Sequence, residues 1–427
     1  MKDFFTTGMP EFRRGHWQAW TIWLTILLFP FFAAGARSGA SLAATILVVL
    51  GLFYGRRAWQ LLGRQEKQIF LGFALFFAAI SLASLFGDEG RTVIRVIERH
   101  AALVFALPAY LAVRYFVREP GRPLVAGLLL APIGALLFGI EWDFGQLLGV
   151  FTLDERPQGG YNTIVYSNIT AVFLILLLAA LILFARSWAT LSGGMLLLLI
   201  GVVMVLASAS RNAMLFLPVG VLLCVLLLYR QLDRRHLAIL LAATLVVVAV
   251  LSLSPQSTAL ERLSMAYSTL FSDAKQDHST AVRLQMWKDS LTIWKIHPVL
   301  GSGPGSFHET VRELQQAGVL ASSYRYTHAH SIYLQALATS GLLGFVTMLW
   351  FCFARPLNYA WGAWRGAIDR WQLFYAVGLI LLIVSYLIFG ITESWFSRNP
   401  MFRTYLLGVV ILMAGIASSM GASNEQD

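Results

Sequence analysis

Apolar runs of membrane-crossing length recur along the chain, at residues 17–35, 40–54, 68–86, 100–117, 123–140, 162–185, 192–208, 213–229, 237–254, 331–354, 371–390 and 401–418. At 1.5 Å rise per residue, about 20 apolar residues span a hydrocarbon layer roughly 30 Å thick. The short alternating segments that close a β-barrel are absent, so the pattern predicts an all-α, polytopic transmembrane helical bundle of about 12 spans. One polar stretch interrupts it. The chain therefore divides into 1–254 (spans 1–9), 255–330 (a large loop with short amphipathic helices) and 331–427 (spans 10–12 and a tail).

Composition agrees with the pattern: 58% of residues are hydrophobic and only 13% charged, which excludes a soluble globular domain. Charge then supplies an orientation. With an even number of spans both termini share a side, and that side carries 17 of the 32 basic residues but 8 of the 22 acidic ones, leaving 15 and 14 for the longer opposite segments. Positive-inside bias places the termini in the cytoplasm and the loop outside. The net +10 is spread over short membrane-flanking segments, so nucleic acid is not an expected partner whereas membrane lipids are. Cys224 and Cys352 both lie in apolar runs and suggest neither a disulfide nor a thiolate metal site. The run 24–34 lacks a cleavage sequence and reads as the start of a membrane hairpin.

Outside the membrane, 87–99, 141–161 and the large loop form the substantial connections. In the loop, 279–294 has a helical repeat with Val282, Met286, Trp287 and Leu291 available for burial, and with Arg283, Lys288 and Asp289 on polar faces. Gly301-Ser302-Gly303-Pro304-Gly305 breaks it, and 307–316 can form a second short helix. The glycines lack the Lys-Ser/Thr and the preceding strand of a nucleotide-binding loop, so Gly303 and Gly305 read as a sharp turn or close packing.

Four groups of residues could carry chemistry. Arg211 is the sole charge between Arg186 and Arg230; it either reaches into headgroups or clamps an anion in a cavity. Arg283 is either an ordinary charge on an amphipathic helix or a guanidinium fork for phosphate oxygens, with Lys288, Arg312 and Arg325 as less specific companions. His328 and His330, preceded by Tyr324 and Tyr326, stand where a membrane helix begins; they are interfacial, or one takes a proton from a hydroxyl. Two histidines without a matching Cys, His or carboxylate cluster make a weak metal site, and none is expected. Trp395 and Phe396, beside Glu393 and Arg398, are interfacial anchors or line a lipid or sugar path.

The chain resembles the bacterial O-antigen ligase family, within a superfamily of membrane glycan transferases that includes O-antigen polymerases. The resemblance rests on His330-Ser331 followed by Gly341-Leu342-Leu343-Gly344, on Arg283-Leu284-Gln285-Met286-Trp287, on the 297–307 segment and on Ser210-Arg211-Asn212-Ala213. It implies a GT-C-type enzyme of the bacterial inner membrane with its active site facing the periplasm, so that 255–330 becomes a periplasmic loop between spans 9 and 10. The implied donor is a polysaccharide linked to undecaprenyl diphosphate, and the implied acceptor is a sugar hydroxyl of the lipid A core. Arg211 and Arg283, with Arg325 behind them, would hold the diphosphate. His330, with His328 in reserve, would serve the acceptor hydroxyl, and the displacement would be inverting, with no cofactor or metal. Gly341 and Gly344 would lie one turn apart in a helix and permit close helix packing. O-antigen polymerase, protein O-oligosaccharyltransferase and lipid-linked sugar transporter remain the alternatives.

Overall fold

Local signals set the helix ends. Asn162 accepts a hydrogen bond from the Val165 N–H at 2.8 Å and starts the helix at Thr163, Ser187 and Thr190 cap the helix at Trp188 reciprocally, and the Asp369 carboxylate accepts from the Trp371 and Gln372 N–H groups to start the helix at Arg370. The computed structural model describes residues 16–54, 59–140, 156–208, 210–238, 278–320 and 324–423. Over these the chain forms α1 (His16–Ala33), α2 (Gly39–Tyr54), α3 (Arg64–Gly87), α4 (Arg91–His100), α5 (Ala102–Phe116), α6 (Gly121–Gly139), α7 (Thr163–Phe184), α8 (Trp188–Ala207) and α9 (Arg211–Leu228). After the loop come α10 (His278–Ile296), α11 (Phe307–Gln316), α12 (Ile332–Thr347), a π-helical turn (Met348–Ala354), α13 (Arg355–Arg365), α14 (Arg370–Thr392) and α15 (Asn399–Ser423).

The protein is an all-α, polytopic, membrane-spanning bundle. Among the described residues nine helical segments are long and apolar enough to cross a bilayer, and two shorter apolar helices, Trp17–Ala33 and Gly39–Tyr54, match the first two expected spans. The span expected at 237–254 falls almost entirely outside the described residues, as do 141–155 and 255–277 of the expected external connections.

The centre of the bundle is α7, enclosed by α6, α8, α9, α14 and α15 and buried from Val165 to Leu183. Around it α1 crosses α6 closely, because Gly127 and Gly134 let the α6 backbone meet the Leu27 and Phe31 carbonyls. At one end of the bundle Arg370 donates to the Leu183 carbonyl, Arg235 to the Arg186 carbonyl and Arg114 to Ser418 Oγ. At the other end Gly160 meets Gly35, Asn212 meets Phe389 and Ser331 meets Ser394.

Three expectations are corrected. Residues 91–100 are not a plain connection but the amphipathic helix α4, with Val96 and His100 buried, whose four charged side chains masked it as a loop in the hydropathy pattern. The helix expected to stop at 354 continues through the π-helical turn and α13 to Arg365, where Trp364 Nε1 donates to the Leu227 carbonyl. Gly341 does not sit within a regular helix: its φ of 60° and ψ of −163° break α12, and the segment 298–303 fills the break. There the Ser302 and Gly303 N–H groups donate to the Ala338 and Thr339 carbonyls at 2.9 and 3.0 Å, while Leu342 and Leu343 donate to the Pro298 and Val299 carbonyls at 2.8 and 3.2 Å. The backbone groups freed by the break are thus satisfied by the loop, as burial demands. Gly344 stays helical and packs over Ser340.

Candidate functional site

The polar loop is bolted onto the bundle at two places. Buried Asp88, at the end of α3, accepts the Gly305 N–H on both carboxylate oxygens at 3.0 Å and the Ser84 hydroxyl at 2.6 Å. Gly303, at φ 109°, passes so close to Gly87 and Asp88 that a side chain has no room. Farther along, α10 packs on α12 through Met286 and Ile293, joined by Phe307, Val311, Tyr326 and Ala338. The burial face of α10 differs from the expected one. Leu291 is exposed, whereas Asp289 is buried, because the Tyr326 hydroxyl and Gln285 Nε2 both donate to its carboxylate.

Tyr326 anchors the segment that follows it. Its hydroxyl is tied to Asp289, its carbonyl accepts from His308 Nδ1 at 3.0 Å, and its ring lies 6.2 Å from that of Phe307. Four residues on, His330 adopts φ 51°, the one positive φ outside glycine among the described residues. That left-handed conformation costs a non-glycine residue roughly 1–2 kcal/mol. Side chains hold the backbone before and after it: the Ala329 N–H, one peptide upstream, donates to Gln335 Oε1 at 2.7 Å and the Ser331 N–H to Ser394 Oγ at 3.1 Å.

Around His330 stand groups from distant elements. Glu393, 1% exposed at the end of α14, places Oε2 at 3.5 Å from His330 Nδ1, and its Oε1 accepts from Arg398 Nε at 3.1 Å. Arg398 also points Nη2 at His328 Nε2, 3.4 Å away, and the His328 and His330 rings lie 4.2 Å apart. Since the guanidinium only donates, His328 Nε2 is unprotonated; its proton is on Nδ1, which donates to Thr327 Oγ1 at 2.9 Å. Burial pushes the His328 pKa down to about 4, with His330, Arg398 and Arg283 adding to the fall and Glu393 opposing it. For Glu393 burial acts upward, but His330 and Arg398 outweigh it and the carboxyl ends below its ordinary value.

Arg283 on α10 is close enough to contribute to the potential at His328. Arg211 is the first residue of α9, where its charge adds to the positive end of the helix, and its neighbour Asn212 reaches the Phe389 carbonyl, one turn before Glu393. Lys288, Arg312, Arg325 and Tyr324 are exposed, and nothing in the described residues draws Lys288, Arg312 or Arg325 to the histidines. Beside the cluster opens a small, partly open cleft lined by Arg99, His100, Gln335, Thr339, Ser394 and Phe396 among others.

The expectation that no carboxylate accompanies the two histidines is overturned. Glu393 joins them, with ligand atoms of His328, His330 and Glu393 all within 4.8 Å. In the sequence Glu393 and Arg398 stand out only as neighbours of an aromatic pair, and no motif singles out Arg99, His100 or Gln335. A sequence signal did exist for Glu393: it is a lone carboxylate at the end of a long apolar run.

Fold and site together define a multi-pass membrane protein with a histidine, carboxylate and arginine cluster at one end of its bundle. Residues 195–349 match the family described as O-antigen ligase, the family whose motifs the sequence resembles. The chain is also 25% identical over 390 residues to a Haemophilus influenzae protein that carries the name "Uncharacterized protein", a similarity covering 88% of this chain and 92% of that one.

Proposed function

We propose that the protein is a glycosyltransferase that moves a polysaccharide from undecaprenyl diphosphate to a sugar hydroxyl of the lipid A core. The observation that carries this reading is the coincidence of two facts. Arg211, Arg283 and His330 all lie within the segment that matches the O-antigen ligase family, and His330 is held in a left-handed conformation beside a buried acid and two further cations. Strained backbone maintained by several independent contacts is the mark of a working residue.

In the reaction the acceptor oxygen attacks the anomeric carbon, its proton passes to His330 Nε2, and the bond from that carbon to the diphosphate oxygen breaks. The electron pair leaves with the diphosphate, whose growing charge is held by Arg211 and Arg283. One displacement inverts the anomeric configuration. The leaving group is an anion of low basicity, so the paired carboxylates of a glycosidase are not required. Arg325, Lys288, Arg312, Tyr324 and His328 are auxiliary: from their exposed positions the first four would meet the glycan or headgroups rather than the reacting atoms.

The architecture follows the same reading: a GT-C-type bundle of 12 spans in the bacterial inner membrane, both termini cytoplasmic, with 255–330 as a periplasmic loop over the site. The end of the bundle bearing Arg114, Arg186, Arg235 and Arg370 is then the cytoplasmic one.

The test is reconstitution of the purified protein with undecaprenyl-diphosphate-linked polysaccharide and lipid A core, without nucleotide. Product on the core supports the reading. Chain lengthening without the core would instead mark a polymerase, and flipping of the donor without bond formation a transporter.

A further inference from the structure

The Glu393 carboxylate is the least expected group at this site. A buried acid is costly unless every oxygen is answered, and here the answer is divided: Oε1 goes to Arg398 at 3.1 Å, while Oε2 has no partner nearer than His330 Nδ1 at 3.5 Å. His330 Nδ1 is itself buried and has no other hydrogen-bond partner. The two orphaned atoms face each other, so a contraction of a few tenths of an ångström satisfies both.

We propose that Glu393 is the positioning residue of His330: its Oε2 fixes the proton on Nδ1, leaves Nε2 bare to take the acceptor's proton, and balances the charge that arrives with it. The proposal rests on the transfer reading for its chemistry. Glu393 cannot itself be the base, because one oxygen is bound to Arg398 and the residue is 1% exposed behind the imidazole. Nor do the three ligand atoms of His328, His330 and Glu393 form a good cation site, because the Arg398 guanidinium already stands between Glu393 and His328 Nε2. Arg398 has two effects: it keeps Glu393 ionised and, by donating to His328, holds that ring neutral, so that the proton arriving at His330 meets one carboxylate and no second imidazolium. The charged and titratable groups around the pair are His328 on the same segment, Arg398 ahead of α15 and Arg283 on α10.

When the proton moves, the acceptor O–H bond breaks, His330 becomes an imidazolium bonded to the Glu393 carboxylate, and the new C–O bond forms as the diphosphate departs. The proton is later returned to solvent or to the diphosphate.

The experiment compares full-length wild type with Glu393→Gln, which keeps the size and a hydrogen-bond acceptor but removes the charge. Diethyl pyrocarbonate acylates neutral imidazole, so the pH dependence of labelling at His330, read by mass spectrometry, reports its protonation whether or not the protein transfers glycan. In E393Q the labelling midpoint moves to lower pH, because the carboxylate facing Nδ1, which would balance the imidazolium charge, is gone. The transfer rate falls about 100-fold, and the acid limb of its pH profile moves down with the labelling midpoint. Donor affinity stays near wild type, while the melting temperature falls because Arg398 loses its buried partner. Glu393→Asp, which keeps the charge, recovers part of the rate.

An unchanged labelling midpoint in E393Q, or an aspartate variant no better than the glutamine one, overturns the proposal. A second readout needs no variant of Glu393: in ¹⁵N-histidine spectra of the wild-type protein in lipid, His330, assigned through His330→Gln, shows the Nδ1–H tautomer when neutral, and the Nε2–H tautomer overturns the proposal. A shifted midpoint in a protein that transfers nothing to any acceptor leaves the pair standing and removes the transfer reading.

Discussion

Replacing Gly341 by alanine tests the join between loop and bundle. At φ 60° and ψ −163° the residue occupies a region almost restricted to glycine, and a Cβ there would overlap the Val299 carbonyl and come within 2.6 Å of the Leu300 nitrogen. The backbone term alone is about 1–3 kcal/mol. Relief of the overlap requires 298–303 to move away, which puts four backbone hydrogen bonds at risk, and losing half of them adds roughly 2 kcal/mol at about 1 kcal/mol each. The expected cost is therefore about 3–5 kcal/mol, concentrated in one place. Hydrogen exchange followed by mass spectrometry should show G341A losing protection in peptides covering 298–306 and 336–345, with the ends of α7 and α14 unaffected. Glycan transfer should fall with it, because α12 begins immediately after His330 and Ser331. Gly362→Ala in α13 is the control: its Cβ meets nothing within 4 Å, so it should be neutral or stabilising by up to about 1 kcal/mol. If G341A retains wild-type protection across 298–306, the break in α12 is not held by the loop and the reasoning fails.

Other outcomes follow from the same geometry. In reconstituted transfer assays Arg211→Ala, Arg283→Ala and His330→Ala each lower turnover by about 100-fold or more while insertion into membranes is unchanged; a His330→Ala protein with normal turnover would remove that residue from the centre of the mechanism. Tyr326→Phe withdraws a hydroxyl from buried Asp289 and should destabilise by about 1–3 kcal/mol, seen as faster exchange in α10 and 324–330. His328 has its folded pKa depressed to about 4 from an unfolded 6.5, so the native state resists its protonation. Its contribution to stability is complete above about pH 6.5 and is lost as pH falls toward 4, so melting temperatures should decline through that window in wild type and less steeply in His328→Gln. Glu393, whose folded pKa is lowered, acts in a more acidic range, below the ordinary glutamate value of 4.5.

Much of this was legible beforehand, and the limits have physical causes. Continuous apolar runs announce membrane helices because lipid allows few other solutions, and the turn before Arg211 was visible because a lone charge separates two such runs. The position of His330 at the head of a helix was visible for the same reason. Its left-handed conformation was not, since that depends on Gln335 and Ser394, which hold the flanking peptides from α12 and from beyond α14. Glu393 illustrates the same limit across a greater separation: a carboxylate after an apolar run announces itself, but only packing reveals which histidine it meets. Asp289 and Leu291 were assigned to opposite environments because side-chain polarity was read without partners; a phenol from Tyr326 is enough to bury an aspartate. The break at Gly341 is hidden in the sequence because a glycine pair in a membrane helix usually signals close packing, and the segment that fills the break, 298–303, is distant in the chain.

The enclosure of α7 also has a consequence for how the protein is made. Of the five helices that surround it among the described residues, α8, α9, α14 and α15 are all synthesised after it. When α7 leaves the ribosome it has lipid where it will later have protein, and it must reside there on the strength of its own leucines, isoleucines and valines, carrying Ser167, Asn168 and Thr170 as passengers. The Asn168 amide nitrogen donates to Met401 Sδ at 4.0 Å, and Met401 belongs to α15. The enclosure of α7 therefore waits on α14 and α15, and a protein cut before α15 should leave earlier helices inserted around an unsealed centre.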